Sequence, residues 1–597
     1  MCGIFGYVGT KPLDVALLTY WGLRDLEYRG YDSWGITAQT TEGFYVRKSV
    51  GKISDTSDKE FRGVSGKMGI GHSRWATHGG VSEVNAHPHF NRDKTIAVIH
   101  NGIVENHAEL RAFLVTKFGI PEKQLFVSET DTEVIPHLID HFIKAGKTFE
   151  AAFVEAGKMI EGRYAIVVMK KDEPFLLAMR DGSPLVIGKG KDGYYLASDV
   201  PAFLDHTHTA CYPNDREYVK VSGDNFMMRD LLTGVKVEPH WTEILWDKAS
   251  ATKEGHPHYM LKEIMEQSLS LDKAIRQDDA KLLEAAKLMK AAGHLFFIGC
   301  GTAAKMAKIG ELYIARMAGV LGYTFVGSEF GAYEQFLNKK SVIFAVSQSG
   351  ETADVLETLR VAEKKGTTIL SLLNVVGSSM DRMSHRSLFI NAGPEIAVAS
   401  TKAATAQIAV LILIAHALSG KLAEGKHFMR GVVRDIKAWL TPDLSHEIRS
   451  VAIKLKQAND IYIIGRGINA PLALEAAIKI QEVSYIHAEG FPGGELKHGP
   501  IALIEKGTPC IALVPNDETK RDMESNATEL KSRGAFIIGI APENNKIFDE
   551  WIRVPDLGVA SPIANIIPIQ LLAYHLAVLR GNDPDKPRNL AKSVTVK

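Results

Sequence analysis

The sequence predicts two architectures in one chain: an α+β N-terminal domain of layered sheets with covering helices, then a doubly wound α/β unit present twice. Three observations carry this expectation. β-rich runs alternate with helical stretches as far as about residue 240. A strand, Gly-turn, helix pattern then recurs farther along the chain. The chain has 597 residues, too many for one core, so about two to four domains are expected.

In the first part the strand candidates are IFGYV, WGITAQ, MGIGHSRW, TIAVIHN, YAIVVMK, PFLLAMR and YYLASD, each rich in β-formers and bounded by Gly, Asp or Asn. VENHAELRAFLVTKFG and DTEVIPHLIDHFIKAG read as helices, the second opening on acids and closing on Gly. The polar stretch HWTEILWDKASATKEGHPHYM reads as a linker.

The repeat is visible by overlay. HLFFIGCGTAAKMAKIGELYIA lies over DIYIIGRGINAPLALEAAIKIQ, placing Gly299 on Gly465 and Gly301 on Gly467. SVIFAVSQSGETADVLETLRVAEKKG lies over TPCIALVPNDETKRDMESNATELKSRG, placing Glu351 on Glu518 and Thr352 on Thr519. The copies differ where the second strand ends. The first has SQSGET, where Ser347, Gln348, Ser349 and Thr352 supply donors and Gly350 an unencumbered N–H at a helix N-terminus, a place that suits phosphate. The second has VPNDET, in which Val514 and Pro515 remove donors and Asp517 adds a repelling charge. One phosphate site, in the first copy, is the expectation; taken alone, SQSGET is equally a polar helix cap.

Lys+Arg and Asp+Glu both number 70, a balance that argues against nucleic acid or an acidic membrane as the main partner. The four cysteines, Cys2, Cys211, Cys300 and Cys510, form no CxxC pair, so neither a disulfide framework nor a zinc knuckle is indicated. No secretory signal is visible, and IAVLILIAHAL is too short to span a bilayer and reads as a buried helix. A cytoplasmic, reducing environment is expected. Cys2 stands directly behind the start methionine. Once that methionine is removed, thiol and α-amine share one residue. The amine titrates near ~7.7–8.0 and can accept the thiol proton.

The ordered segments CGIFGYVG, LEYRGYDS, HSRWATHG, NAHPH, HNGIVENH, SETDTE, CGT, SQSGET, VASTKA, EVSYIHAE, GELKHGP and PRNLAKSVTV run essentially end to end. Together they make the chain similar to the isomerising glutamine–fructose-6-phosphate aminotransferases, the glucosamine-6-phosphate synthase family. The resemblance implies an N-terminal-nucleophile layered (αββα) class-II glutamine amidotransferase domain over 2–240 and a linker with a leading helix over 241–280. Two doubly wound parallel-sheet SIS (sugar isomerase) domains follow over 281–425 and 450–587, and a tail over 588–597. It implies conversion of fructose 6-phosphate and glutamine to glucosamine 6-phosphate and glutamate, the first step toward UDP-GlcNAc, without a cofactor.

The same resemblance assigns roles. Cys2 attacks the glutamine amide, with Asn101 and Gly102 as oxyanion donors. Arg74 takes the α-carboxylate, Asp131 the α-ammonium, and Thr77 and His78 line the pocket. Trp75 gates an ammonia passage. In the sugar half Lys592 forms the Schiff base and Glu482 moves the C1–C2 proton. Lys479, three residues earlier on one helix face, assists at the sugar hydroxyls. His498 opens the ring, and in the family it comes from the neighbouring subunit, which implies a homodimer. Thr302, Ser347, Gln348, Ser349, Thr352, Val398 and Ser400 bind the sugar phosphate. Read without the family, Arg74 and Asp131 are surface ion-pair partners, Glu482 and Lys479 an exposed helical ion pair, and Trp75 a core residue.

The two HPH triplets, 87–89 and 256–258, have no acid or cysteine at ligand spacing, so no metal is expected. Against the family pattern, Ala303 replaces a Ser and removes one hydroxyl contact. Trp34 replaces an Ala, a bulky change expected near the glutamine pocket. Lys597 stands where Glu is common. Rival readings are a catalytically silent sugar-phosphate sensor, which has no need of Cys2, Asn101, Glu482 and Lys592 together, and an SIS enzyme fed by free ammonia, whose turnover would survive Cys2→Ala at full rate.

Overall fold

The computed structural model describes residues 2–244 and 252–594. The central part of the expected linker, 245–251, and the end of the tail with Lys597 lie outside the described residues. The chain divides into two compact units, Met1–Ala251 with Ala591–Lys597, and Thr252–Leu590.

The first unit holds two sheets of eight and seven strands whose strands pair antiparallel. Every expected strand is present. IFGYV lies in Gly3–Asp14, which is flanked by Ser65–Arg74 and Gly193–Ala197. TIAVIHN lies in Ile96–Val104, paired with Gly162–Lys170. Inward residues of both sheets, including Ile4, Val8, Ile70, Ile99, Val167 and Leu196, make one apolar layer between them. The outer face of one sheet is covered by helix Val15–Asp25, and that of the other by His107–Phe118, Val134–Lys144 and Phe149–Met159. This is the αββα order.

Two expectations change here. Trp34 is buried on the helix-covered side of its sheet, edge-on to Phe61 at 5.7 Å, so it fills that core rather than the glutamine pocket. The stretch read as a linker opens with a strand, Trp241–Glu243, paired with Thr209–Cys211 at the sheet edge.

The second unit contains two five-stranded parallel sheets with the same strand order. In chain-order numbering within each copy, both run 2-1-3-4-5. Gly301 and Gly467 adopt the same backbone angle, φ 56°, at equivalent turns. The copies share one hydrophobic core, built from helices Thr302–Ala318, Lys402–Leu418, Ala470–Ser484 and Ser561–Leu579. Helix Lys402–Leu418 contains IAVLILIAHAL and is buried almost throughout. The segment Gly558–Leu579 is long and apolar enough to cross a membrane, and 89% of its apolar window is buried inside the unit.

Candidate functional site

Cys2 sits at the open end of strand Gly3–Asp14, and the Gly3–Ser73 register brings the end of the neighbouring strand beside it. The Trp75 N–H donates to the Cys2 Sγ at 3.2 Å, and the thiol lies 3.4 Å from the Trp75 carbonyl. Burial pushes the thiol pKa up; the Trp75 N–H and the charges of Arg74 and Arg29 act against it.

The opposite sheet delivers Asn101 and Gly102. Asn101 Nδ2 donates to the Cys2 carbonyl at 2.9 Å, and the amide carries a second N–H. Its Oδ1 lies 3.0 Å from His72 Nε2, which is also 2.9 Å from the His100 carbonyl. Two acceptors around one nitrogen require His72 Nε2 to carry the proton, and this fixes which end of the Asn101 amide faces Cys2. Burial keeps His72 neutral, its pKa lowered to about 3. Gly102 has φ 121°, and a Cβ there would stand 1.8 Å from the Arg163 carbonyl oxygen, so only glycine fits.

Arg74 is buried and donates to the carbonyls of His78, Gly79 and Gly80, shaping the loop that carries Thr77 and His78. Thr77 is exposed; His78 is half-buried, its ring 5.7 Å from that of His107. Asp131 is buried, with Oδ2 accepting the Val104 N–H at 2.7 Å. The Trp75 ring meets Tyr31 edge-on at 5.4 Å. Cys2, Trp75, Asn101 and His72 thus form one connected group.

The first HPH triplet enters a stack of buried rings in which His87 lies 4.0 Å from His72 and 4.8 Å from His89. The His100 N–H donates to His87 Nδ1, and His89 Nε2 lies 3.1 Å from the Thr130 hydroxyl. Burial lowers the pKa of His87, His89 and His100. Sequence reasoning missed His72, and also Arg29, whose Nε reaches the Cys2 carbonyl at 3.4 Å while its fork pairs with Asp199 at 3.0 Å. Both stand inside quoted motifs, but only folding reveals what they touch.

In the second unit CGT and SQSGET fall at the carboxyl ends of adjacent strands His294–Gly299 and Ser341–Val346, the point where strand order reverses and ligands bind in doubly wound sheets. Ser347 Oγ accepts the Gly350 N–H at 3.0 Å and lies 3.4 Å from the Thr352 hydroxyl; Ser349 Oγ accepts the Glu351 N–H. Gln348 lies within this turn, and its carbonyl accepts the Asn374 N–H. The Glu351 carboxylate turns away to the N–H and hydroxyl of Ser379, so it does not oppose an anion in the loop. In the second copy Asp517 accepts the N–H and hydroxyl of Thr519 and occupies the equivalent helix start.

Helix Ala470–Ser484 of the second copy packs on helix Thr302–Ala318 of the first. Lys479, fully buried, lies 2.7 Å from Glu482 and 3.3 Å from Glu475, and donates to the Thr302 hydroxyl at 3.2 Å. The Thr302 proton goes to Glu475 at 2.8 Å, so toward a ligand Thr302 offers its backbone N–H. Ala303 follows, half-buried, in the first turn of the same helix. Val398 and Ser400 lie on the segment before helix Lys402–Leu418, where the Val398 N–H donates to the Asp585 carbonyl. Beyond Asp585 the Arg588 N–H donates to the Tyr485 hydroxyl at 2.7 Å, four residues before half-buried Lys592. His498 is exposed at the end of the 3-10 turn Gly493–His498.

A layered antiparallel unit that sets a half-buried cysteine beside the Trp75 N–H and the Asn101 amide, on one chain with a doubled parallel-sheet fold, defines a glutamine amidotransferase coupled to sugar-isomerase domains. The glutamine amidotransferase domain family matches residues 72–205, and the SIS domain family matches 287–417 and 454–580. The chain is 41% identical to the glutamine–fructose-6-phosphate aminotransferase (isomerizing) of Thermococcus kodakarensis and 42% identical to that of Pyrococcus horikoshii, over the full length of both partners in each case. The Thermus thermophilus enzyme is 40% identical, again over 100% of each chain. Among solved structures, the C-terminal domain of the Francisella tularensis glucosamine-fructose-6-phosphate aminotransferase covers 56% of this chain and 99% of its own, with 31% identity and a TM-score of 0.51. The chain belongs to the isomerising glutamine–fructose-6-phosphate aminotransferase family.

Proposed function

We infer that this chain transfers the amide nitrogen of glutamine to fructose 6-phosphate, giving glutamate and glucosamine 6-phosphate and so feeding hexosamine synthesis. The observation that carries the reading is the Cys2 thiol held by the Trp75 N–H beside the Asn101–Gly102 corner. With the start methionine removed, the Cys2 amine takes the thiol proton and the sulfur attacks the glutamine amide. The second Asn101 N–H and the Gly102 N–H receive the oxyanion, the tetrahedral adduct expels ammonia, and water then hydrolyses the glutamyl thioester, releasing glutamate and the Cys2 thiol. Arg74 and Asp131 hold the α-carboxylate and α-ammonium, with Thr77 and His78 along the pocket wall.

In the sugar half the phosphate sits on Ser347, Gln348, Ser349 and Thr352, with the Thr302 N–H, Val398 and Ser400 along the sugar. His498 of a second subunit opens the ring, Lys592 forms the Schiff base, ammonia replaces it at C2, and Glu482 carries a proton from C1 to C2. Trp75 gates ammonia between the two chemistries. The working form is a cytoplasmic homodimer acting on small molecules, with neither nucleic acid nor membrane as partner.

The test is an amino-sugar assay with nitrogen-labelled glutamine amide. The parent puts label into glucosamine 6-phosphate. Cys2→Ala lowers glutamine hydrolysis by at least about 1,000-fold while sugar-phosphate binding stays within about twofold. Phosphosugar binding by a parent that yields no amino sugar would leave a sensor instead.

A further inference from the structure

We propose that Glu475 is a positioning residue of the sugar half: it shares the Lys479 ammonium with Glu482, so that Glu482 is not the sole counter-charge of that cation while it shuttles hydrogen between C1 and C2. This deepens the function inferred above and rests on it.

The geometry is a single helix face. Glu475, Lys479 and Glu482 fall at i, i+4 and i+7 of helix Ala470–Ser484, so their side chains stack along one line. Lys479 and Glu475 are both fully buried. Three oxygens stand around the Lys479 ammonium: Glu482 Oε2 at 2.7 Å and Glu475 Oε1 at 3.3 Å as ion-pair partners, and the Thr302 hydroxyl at 3.2 Å as hydrogen-bond acceptor. Glu475 Oε1 also accepts the Thr302 proton, whereas Glu475 Oε2 is buried with no hydrogen-bond partner among the described residues. A carboxylate held this deep is expensive, and one cation between two carboxylates leaves the cluster one negative charge in excess.

Burial pushes Glu475 up, with Lys479 and the Thr302 hydroxyl acting against it. Burial works to discharge Lys479, but Glu475 and Glu482 outweigh it and hold its pKa well above the ordinary lysine value. Lys479 therefore remains an ammonium, neither base nor nucleophile. Titratable side chains on neighbouring elements have other partners: Tyr574 with His258, His575 with Ser445, His487 with Asp460, and, on helix Thr302–Ala318, Lys308 with Glu311, Arg316 with Glu518 and the Tyr313 hydroxyl with the Val559 carbonyl.

During proton transfer Glu482 becomes neutral and then returns its proton, so the carboxylate is regenerated and no electrons are exchanged. At the halfway point Lys479 would be a buried cation without a counter-charge if Glu475 were absent. In the resting state, removing the Glu475 charge would leave Lys479 wholly to Glu482, tightening that pair at the expense of proton transfer to the sugar.

The test is steady-state kinetics of the full-length enzyme as Glu475→Gln and Glu475→Asp beside the parent. Glu475→Gln is expected to lower kcat for glucosamine 6-phosphate by about tenfold and move the acid limb of the kcat profile to lower pH by about one unit. KM for fructose 6-phosphate and glutamine hydrolysis at Cys2 should stay within about threefold. Glu475→Asp, which keeps the charge, should restore the acid limb and most of kcat. A parental kcat and acid limb in Glu475→Gln overturns the proposal, as does a rise in KM alone or an equal loss in both variants. If Glu475→Gln fails to fold, the acid limb of Glu475→Asp decides: parental supports the proposal, displaced overturns it. A parent enzyme that forms no amino sugar sinks the functional reading, a separate outcome.

Discussion

The two copies of the doubly wound fold share strand order, turn geometry and core, yet at the equivalent helix start one sets hydroxyls and the other a carboxylate. In the first, the turn after strand Ser341–Val346 is closed by hydroxyls, and its acid, Glu351, is drawn off to Ser379. In the second, Asp517 lies on the N–H of Thr519, so the helix start has its anion already. The difference teaches that the fold supplies the place and a few side chains decide whether it is open. It also shows that the second copy is not idle, because its helix Ala470–Ser484 carries Glu475, Lys479 and Glu482 to the Thr302 end of the first copy.

The sharpest way to break this contrast is to write the second copy into the first. Ser347→Val with Gln348→Pro should raise KM for fructose 6-phosphate by about 100-fold, while glutamine hydrolysis persists. An unchanged KM would dissolve the distinction. Next comes a matched pair. Gly301→Ala and Gly467→Ala force an L side chain into the same φ 56° turn and should each lower stability by about 1–3 kcal/mol, read by denaturant midpoint. Only Gly301→Ala should also raise KM, since only that turn borders the proposed sugar-phosphate site. The smallest effect belongs to Asp517→Ala, which removes the internal cap. About 1 kcal/mol of stability should be lost, KM should be unaltered, and phosphosugar should still bind once per chain by calorimetry.

Much of this was legible in the letters. Strands such as IFGYV and YAIVVMK are β-branched or aromatic runs between turn residues, and local pattern is enough to find them. The asymmetry of SQSGET against VPNDET was equally plain, because donors, a proline and a carboxylate differ by residue type alone. What stayed hidden depends on register and neighbours. Trp34 could be placed only once its strand showed which face meets Phe61. Trp241–Glu243 looked like linker because a three-residue edge strand has no period of its own. His72 carries no local signal, and the spacing of Glu475 to Lys479 says nothing of Thr302; these contacts are made with partners 29 and 173 residues away. The shared core of the repeat was also invisible, since two similar segments read as two separate bodies.

That common core has an evolutionary corollary. After a duplication, a copy that binds nothing would ordinarily decay, drift or be deleted. Here the silent twin cannot leave, for its long apolar helix Ser561–Leu579 is packed into the same interior as helix Lys402–Leu418 of its sibling. Redundancy has hardened into division of labour, with one twin presenting the hydroxyl-lined turn and the other the helix of Glu475, Lys479 and Glu482, so any descendant with this interior inherits the pair.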